Sequence, residues 1–418
     1  MRNETKRILF QVGLFVVTFV STTIAGSEWA YGRNIFFSPG YGWQDFVNGL
    51  SFSIPLLLIL TVHEFGHYFV ALYHKVKTSL PYYIPLPPIP FLGLSIGTMG
   101  AVIRLRSKPV SNLQNFDIGL AGPLAGFIVA LLITVYAFVT LPPPEYVFQF
   151  HPEYKPFGLA YADTVYTPEF KKSEARKRLV EINKELDDRG REARERGEEV
   201  GKRRKLTEDD VAVTDVQIGN NLVFWAIGKW FAEPERIPNT HEMMHYPILL
   251  ACYIALFFTC LNLLPIGQLD GGHVVYGLFG FKAHKIIATV FFFALMFYAG
   301  LGLPILTFNQ PKEWLVLWLS GYVLFLFMGF RGLGLASKDT WMYAVLMAAA
   351  HFLLLMFFPT VSGYPGWLLF AFVVGRFVGI EHPRSEMELP LDSKRIILGW
   401  ICLLIFIVCF SPAPIVIE

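Results

Sequence analysis

The chain has 418 residues, 54% of them hydrophobic, with 39 Phe, a mean hydropathy of +0.47 and a formal net charge of +2. These totals exclude an ordinary soluble domain and point to an all-α polytopic membrane protein of about eight or nine transmembrane helices embedded in a lipid bilayer. Near-neutrality leaves nucleic acid without an electrostatic footprint, so no nucleic-acid partner is expected.

In chain order, nine apolar runs are long enough, or nearly so, to cross ~30 Å of hydrocarbon. They fall near 8–25, 48–73, 116–140, 246–266, 286–303, 313–330, 341–358, 364–379 and 396–411. The first follows a basic N-terminus and resembles a signal peptide, but its apolar run is long and it reads as a retained span. The eighth is short and carries Arg376 near its end. NLVFWAIGKWF, Asn221 to Phe231, is too short to span and reads as an interfacial amphipathic or re-entrant piece. Cys252, Cys260, Cys402 and Cys409 all lie in apolar runs and read as buried small hydrophobes. With a cytoplasmic N-terminus, fifteen Lys/Arg fall in inner segments, against Arg33 and Lys312 in the short outer ones.

Two stretches between spans are distinctive. Ser79 to Ser107 (SLPYYIPLPPIPFLGLSIGTMGAVIRLRS) holds prolines that exclude a continuous helix, and its GTMGAVIRL end has strand-like residues. A small membrane-associated β or extended segment is expected near 79–107, with an edge strand able to pair with an extended peptide. Between Lys171 and Asp210 there are 14 Lys/Arg and 12 Asp/Glu. That charge run reads as a solvated helix laced with i,i+4 pairs, or as a partner-docking arm, inside an extracytoplasmic insert at 142–245. The organisation expected around it is a first span and outer loop (1–45), a core in two parts (46–141 and 246–285), and C-terminal transmembrane helices (286–418).

His-Glu-x-x-His, the signature of a zinc peptidase, occurs twice, in TVHEFGHYF (61–69) and in THEMMHYP (240–247). The motif works on a helix, where positions i and i+4 share one face and two imidazoles reach one metal, with the intervening Glu as general base. TVHEFGHYF continues an apolar run without proline after Pro55, so His63 and His67 fall on one face of a membrane helix with Glu64 beside them. Gly66 leaves room beside the metal or for a packed helix. THEMMHYP follows a polar loop, and Pro247 pushes Tyr246 out of the α region. It reads as a pre-helix loop, and no metal is expected on it.

A catalytic zinc takes a third protein ligand. Asp270, in LNLLPIGQLDGGHVVYG, is the natural candidate: Pro265 and Gly267 break the helix, and both segments reach the inner side at the same depth. Asn262 is placed either to donate to a developing oxyanion or to make an interhelical hydrogen bond. His273 is either a partner of the ligands or a loop His. Gly119, Gly122 and Gly126 form a small-residue face beside Pro123, suited to close helix packing.

The pairing of HEFGH with NLLPIGQLDGG resembles the site-2 protease family of intramembrane zinc metalloproteases. The resemblance extends over FDIGLAGPLAGF, SLPYYIPLPPIP and HPRSEMELPLDSKRIILGW, the last like its bacterial and plastid branch. It implies Zn2+ on His63, His67 and Asp270, Glu64 as general base, Asn262 near the scissile carbonyl, and a transmembrane protein substrate. It also implies a site facing the cytoplasm, here of a prokaryotic cytoplasmic membrane. Many relatives carry a peptide-binding domain where the charged insert stands, and tend to show His-Pro where this chain has His245-Tyr246-Pro247. A metal-ion transporter and a non-catalytic scaffold are the rival readings; a scaffold is disfavoured by the presence of Glu64, a transporter by the absence of an inverted repeat.

Overall fold

The computed structural model describes residues 2–87, 95–196, 206–207, 215–303 and 312–417. The centre of the proline-rich stretch and most of the charged run after residue 196 lie outside the described residues.

Among the described residues there are twelve α-helices: α1 (Arg2–Tyr31), α2 (Trp43–Tyr73), α3 (Asn112–Val139), α4 (Ala162–Val165), α5 (Pro168–Glu195), α6 (Leu222–Phe231), α7 (Pro247–Asn262), α8 (Asp270–Gly300), α9 (Lys312–Phe330), α10 (Ser337–Phe357), α11 (Gly366–Val373) and α12 (Ser393–Cys409). Each of the nine apolar runs holds one of them. The chain is a multi-pass membrane protein: among the described residues six helices (α1, α2, α3, α8, α9 and α10) are long and apolar enough to cross a bilayer. The remaining three runs are shortened for local reasons. α7 ends at Asn262 because Pro265 cannot continue it; α11 gives way to a π turn over Val374–Val378; α12, capped by Asp392, runs from Ser393 only to Cys409, ahead of Pro412.

Two buried clusters hold the bundle. One packs Phe52, Leu56, Phe116, Leu250 and Tyr253 between α2, α3 and α7; the other packs Phe292, Met296, Leu326, Phe330 and Trp367 among α8, α9 and α11. In lipid such contacts act through close packing, and small residues permit it. At Gly66 an added Cβ would stand 2.6 Å from the Ala121 carbonyl oxygen, so α2 and α3 touch there by backbone. Of the two roles open to Gly66, the geometry selects helix packing. All four cysteines are buried thiols.

β1 (Tyr82–Pro85) pairs antiparallel with β2 (Thr98–Val102), Tyr83 opposite Ala101, as a small sheet in the expected segment. It is fastened to the first two helices: Thr61 Oγ1 lies 2.7 Å from Tyr83 Oη, and Trp29 Nε1 donates to the Ser95 carbonyl at 2.9 Å. The insert opens with two 3₁₀ segments, Pro144–Gln149 and Pro152–Ala160, then α4 and the charged α5. α5 carries i,i+3 pairs Lys177–Glu174 (2.7 Å) and Arg191–Asp188 (2.6 Å). β3 (Val216–Ile218) then pairs with β4 (Ile415–Ile417), joining the insert to the C-terminus.

Candidate metal centre

His63 and His67 lie one turn apart on α2, and both are buried. Their Nε2 atoms are 3.1 Å apart. The turn after α7 reverses the chain at Gly267 (φ +56), where a Cβ would strike the Gly379 carbonyl, and delivers Asp270 as the first residue of α8. Asp270 Oδ2 stands 3.4 Å from His63 Nε2 and 3.3 Å from His67 Nε2. The depth matching expected from the two sequence segments is thus a contact.

α3 closes the third side with its glycine face. A Cβ on Gly122 would collide with the His67 ring, and one on Gly126 would lie 2.9 Å from His63 Cβ. One turn away, His67 Nδ1 meets the Ile118 carbonyl at 2.7 Å. Because a carbonyl only accepts, Nδ1 carries the proton and Nε2 is left as a lone pair. Three donor atoms 3.1–3.4 Å apart match the edge of a tetrahedron with 2.0–2.1 Å bonds, roughly 3.3 Å. Together with the glycine-lined cradle, this donor set fits zinc.

Glu64 is buried beside them, its Oε1 4.0 Å from His63 Nε2. The Asn262 amide donates toward the same nitrogen at 3.2 Å. A cavity of about 250 Å³ opens over the group, lined by Glu64, Asn262, Asp270, His273 and Ala101–Ile103 of the β2 side. His273 is helical, on α8, and its Nδ1 contacts His382 Nε2 at 2.7 Å.

That last contact exposes what the sequence reading left unassigned. The segment before α12 folds back onto the core: Asn112 Oδ1 accepts from the Leu389 backbone at 2.7 Å, and Ser385 N–H donates to Tyr276 Oη at 3.0 Å. Arg395 grips Asp117 through two 2.8 Å hydrogen bonds, and His74 contacts the same carboxylate at 2.8 Å. The dense polar run HPRSEMELPLDSKR just ahead of a span was the available signal.

THEMMHYP is not α-helical. Met243–His245 form a single 3₁₀ turn, and Tyr246 sits at φ −110, ψ 78. His241 Nδ1 meets Asp215 Oδ1 at 2.6 Å, while His245 Nδ1 donates to the Ala30 carbonyl at 2.7 Å, so the two histidines of the motif do not converge as on a helix. Burial pushes the His245 imidazole down to about 4, leaving it neutral at ordinary pH.

A bundle of apolar helices around a buried His-His-Asp donor set, with a carboxylate alongside, defines a polytopic membrane protein with a zinc-type centre. Residues 51–301 match Peptidase family M50, and the chain belongs to that family. It is 26% identical over 265 residues to "Probable zinc metalloprotease EGY1, chloroplastic" of Arabidopsis thaliana, covering 63% of this chain and 35% of the relative. It is 25% identical over 267 residues to the Oryza sativa subsp. japonica protein of the same name, covering 64% and 33%. A 98-residue match at 30% identity to "Probable zinc metalloprotease EGY2, chloroplastic" of Arabidopsis thaliana covers 23% and 16%. The chain therefore spans about a third of the length of the first two relatives. No solved structure matches the chain.

Proposed function

We propose that this protein is an intramembrane zinc metalloprotease that hydrolyses peptide bonds in the membrane-spanning segments of protein substrates. The observation that carries the reading is the convergence of His63, His67 and Asp270 from two helices onto one point, with the Glu64 carboxylate beside it. These three residues would hold the ion. Zinc there supplies Lewis acidity toward a carbonyl and lowers the pKa of water.

The chain's own groups divide the remaining work. Glu64 takes a proton from the attacking water and returns it to the leaving amine. Asn262, which lines the cavity with its amide 3.2 Å from His63 Nε2, donates to the carbonyl oxygen as it gains charge. Helical backbone is internally paired, so a substrate helix must unwind before a bond becomes accessible. Among the described residues β2 is paired only with β1, and its free edge beside the cavity suits an extended segment. The asymmetry of Lys and Arg supports an N-terminus and a centre on the cytoplasmic side; that the membrane is a prokaryotic one is part of the proposal. "Chloroplastic" belongs to the names of the plant relatives.

The test is Glu64→Gln in purified full-length protein, with bound zinc and cleavage of a model transmembrane substrate measured side by side. Retained zinc with cleavage lost is the expected result. Cleavage at the parental rate overturns the mechanism.

A further inference from the structure

The insert contributes a ligand to THEMMHYP that motif reading does not see. His151 precedes the second 3₁₀ segment, 94 residues before His245, yet their Nε2 atoms are 3.2 Å apart. Glu242 Oε2 lies 3.5 Å from His151 Nε2 and 3.6 Å from His245 Nε2. We propose that His151, Glu242 and His245 form a second site for a divalent transition cation of the zinc class. It would clamp the insert to the start of α7 and the end of α1.

Three observations argue for a cation. First, the outer nitrogens are engaged elsewhere, and two Nε2 atoms meet Glu242 Oε2 at the centre. His245 Nδ1 faces the Ala30 carbonyl at 2.7 Å, and His151 Nδ1 faces the Glu153 carboxylate at 3.0 Å. Both outer nitrogens face acceptors and direct their ring protons outward, so each ring turns Nε2 toward the centre, where it can offer a lone pair to a cation. Second, Glu242 is 2% exposed, and its Oε2 is buried without a hydrogen-bond partner. A buried orphan oxygen of this kind is costly unless something positive meets it. Third, the separations approximate the tetrahedral edge of roughly 3.3 Å set by zinc–nitrogen and zinc–oxygen bonds.

The surroundings are those of a ligand set. Each member is oriented by an outer partner: Ala30 for His245, Glu153 for His151, and the Tyr166 hydroxyl for Glu242 Oε1. Phe150 stacks on His245 with centroids 4.2 Å apart, and Tyr154 stacks on His151 at 4.5 Å. A cavity of about 380 Å³ reaches the cluster and gives water access to a fourth position. Glu242 is itself a ligand here, and its second oxygen takes the Tyr166 hydroxyl. The site therefore has no counterpart of Glu64, and its role is architectural.

The experiment uses full-length protein carrying His63→Ala, which takes the first centre out of the count. After dialysis against zinc, metal analysis should find about one ion per chain, Co2+ should give visible d–d bands, and zinc should raise the unfolding temperature. Adding His151→Ala should abolish all three. Glu242→Gln, which keeps the shape of the buried side chain, should do so too and covers the case in which the histidine variant folds poorly. Absence of stoichiometric metal in the folded His63→Ala protein would overturn the proposal and leave a proton shared by the histidines. Uptake unchanged by both ligand substitutions would overturn it equally.

Discussion

At the inner centre, two imidazoles come from one helical turn, and a carboxylate arrives from a chain reversal 203–207 residues later. At the outer cluster, a carboxylate and an imidazole come from one 3₁₀ turn, and the third donor arrives from the insert. The triangles are nearly the same size, 3.1–3.4 Å against 3.2–3.6 Å on a side. They differ in what surrounds them. The inner set has Glu64 and Asn262 beside it and backbone glycines pressed against its rings; the outer set is wrapped in aromatic side chains, and the Glu153 carboxylate beside it meets the outward nitrogen of His151. Gly26 of α1 packs at the level of Gly49 to Phe52 on α2, so Ala30 lies some seventeen residues along α2 from His63, about 25 Å at 1.5 Å per residue. A donor triangle alone therefore does not define a catalytic centre; the groups beside it do.

Substitutions at the inner centre break this contrast to different degrees. Glu64→Gln has the largest expected effect, a fall in kcat of about 10²–10⁴-fold with zinc retained, because the proton carrier is removed while every ligand stays. Loss of zinc in that variant would mean that Glu64 acts as a ligand. Asn262→Ala follows, at about 10²-fold or somewhat more if its amide meets the carbonyl oxygen. The loss should appear in kcat, with KM little changed; a full-rate Asn262→Ala enzyme would assign the residue to helix packing. Gly122→Ala comes next. Its Cβ has no space beside the His67 ring, and a displacement of about 1 Å at a ligand costs roughly 10²-fold. Gly13→Ala on α1, where nothing lies within 4 Å, is the matched control. Equal activity of the two variants would show that α3 does not hold the histidines in place.

Much of the inner centre was legible because its logic is local. HEFGH on an apolar run fixes two donors by helical periodicity alone, and Pro265 with Gly267 announces the reversal that presents Asp270. Nine apolar runs likewise anticipate nine helices, although the breaks around Asn262 and Val374 leave fewer full-length spans. The outer cluster was not legible in the same way. THEMMHYP reads correctly as non-helical, but its Glu242 and His245 gain a third donor only through the folding of the insert. No periodicity links residue 151 to residue 245; aromatic stacking of Phe150 and Tyr154 does. The fold-back of residues 382–395 showed in the sequence only as a polar run; its partners were not legible, since Asp117 and Arg395 are joined by tertiary contact across 278 residues.

That last pair gives the smallest of the expected effects and tests how the inner side is held together. Asp117 accepts two hydrogen bonds from Arg395 and one contact from His74, linking α3, the end of α2 and the start of α12. On the opposite side α12 is held differently, by β4 pairing with β3 of the insert. Arg395→Lys keeps the charge but loses the two-pronged geometry. Both partners are partly solvated, with side-chain exposures of 14% and 28%, so screening limits the cost to on the order of 1–2 kcal/mol, a fall in Tm of a few degrees. Asp117→Asn should cost as much or slightly more, because it also frees His74. Cleavage should fall less than about tenfold in either variant, since the ligands are fixed by α2, α3 and the Gly267 turn rather than by α12. A catalytic loss comparable to that of Gly122→Ala would instead make the His382–His273 contact part of what positions Asp270, and would extend the inner centre to the C-terminal fold-back.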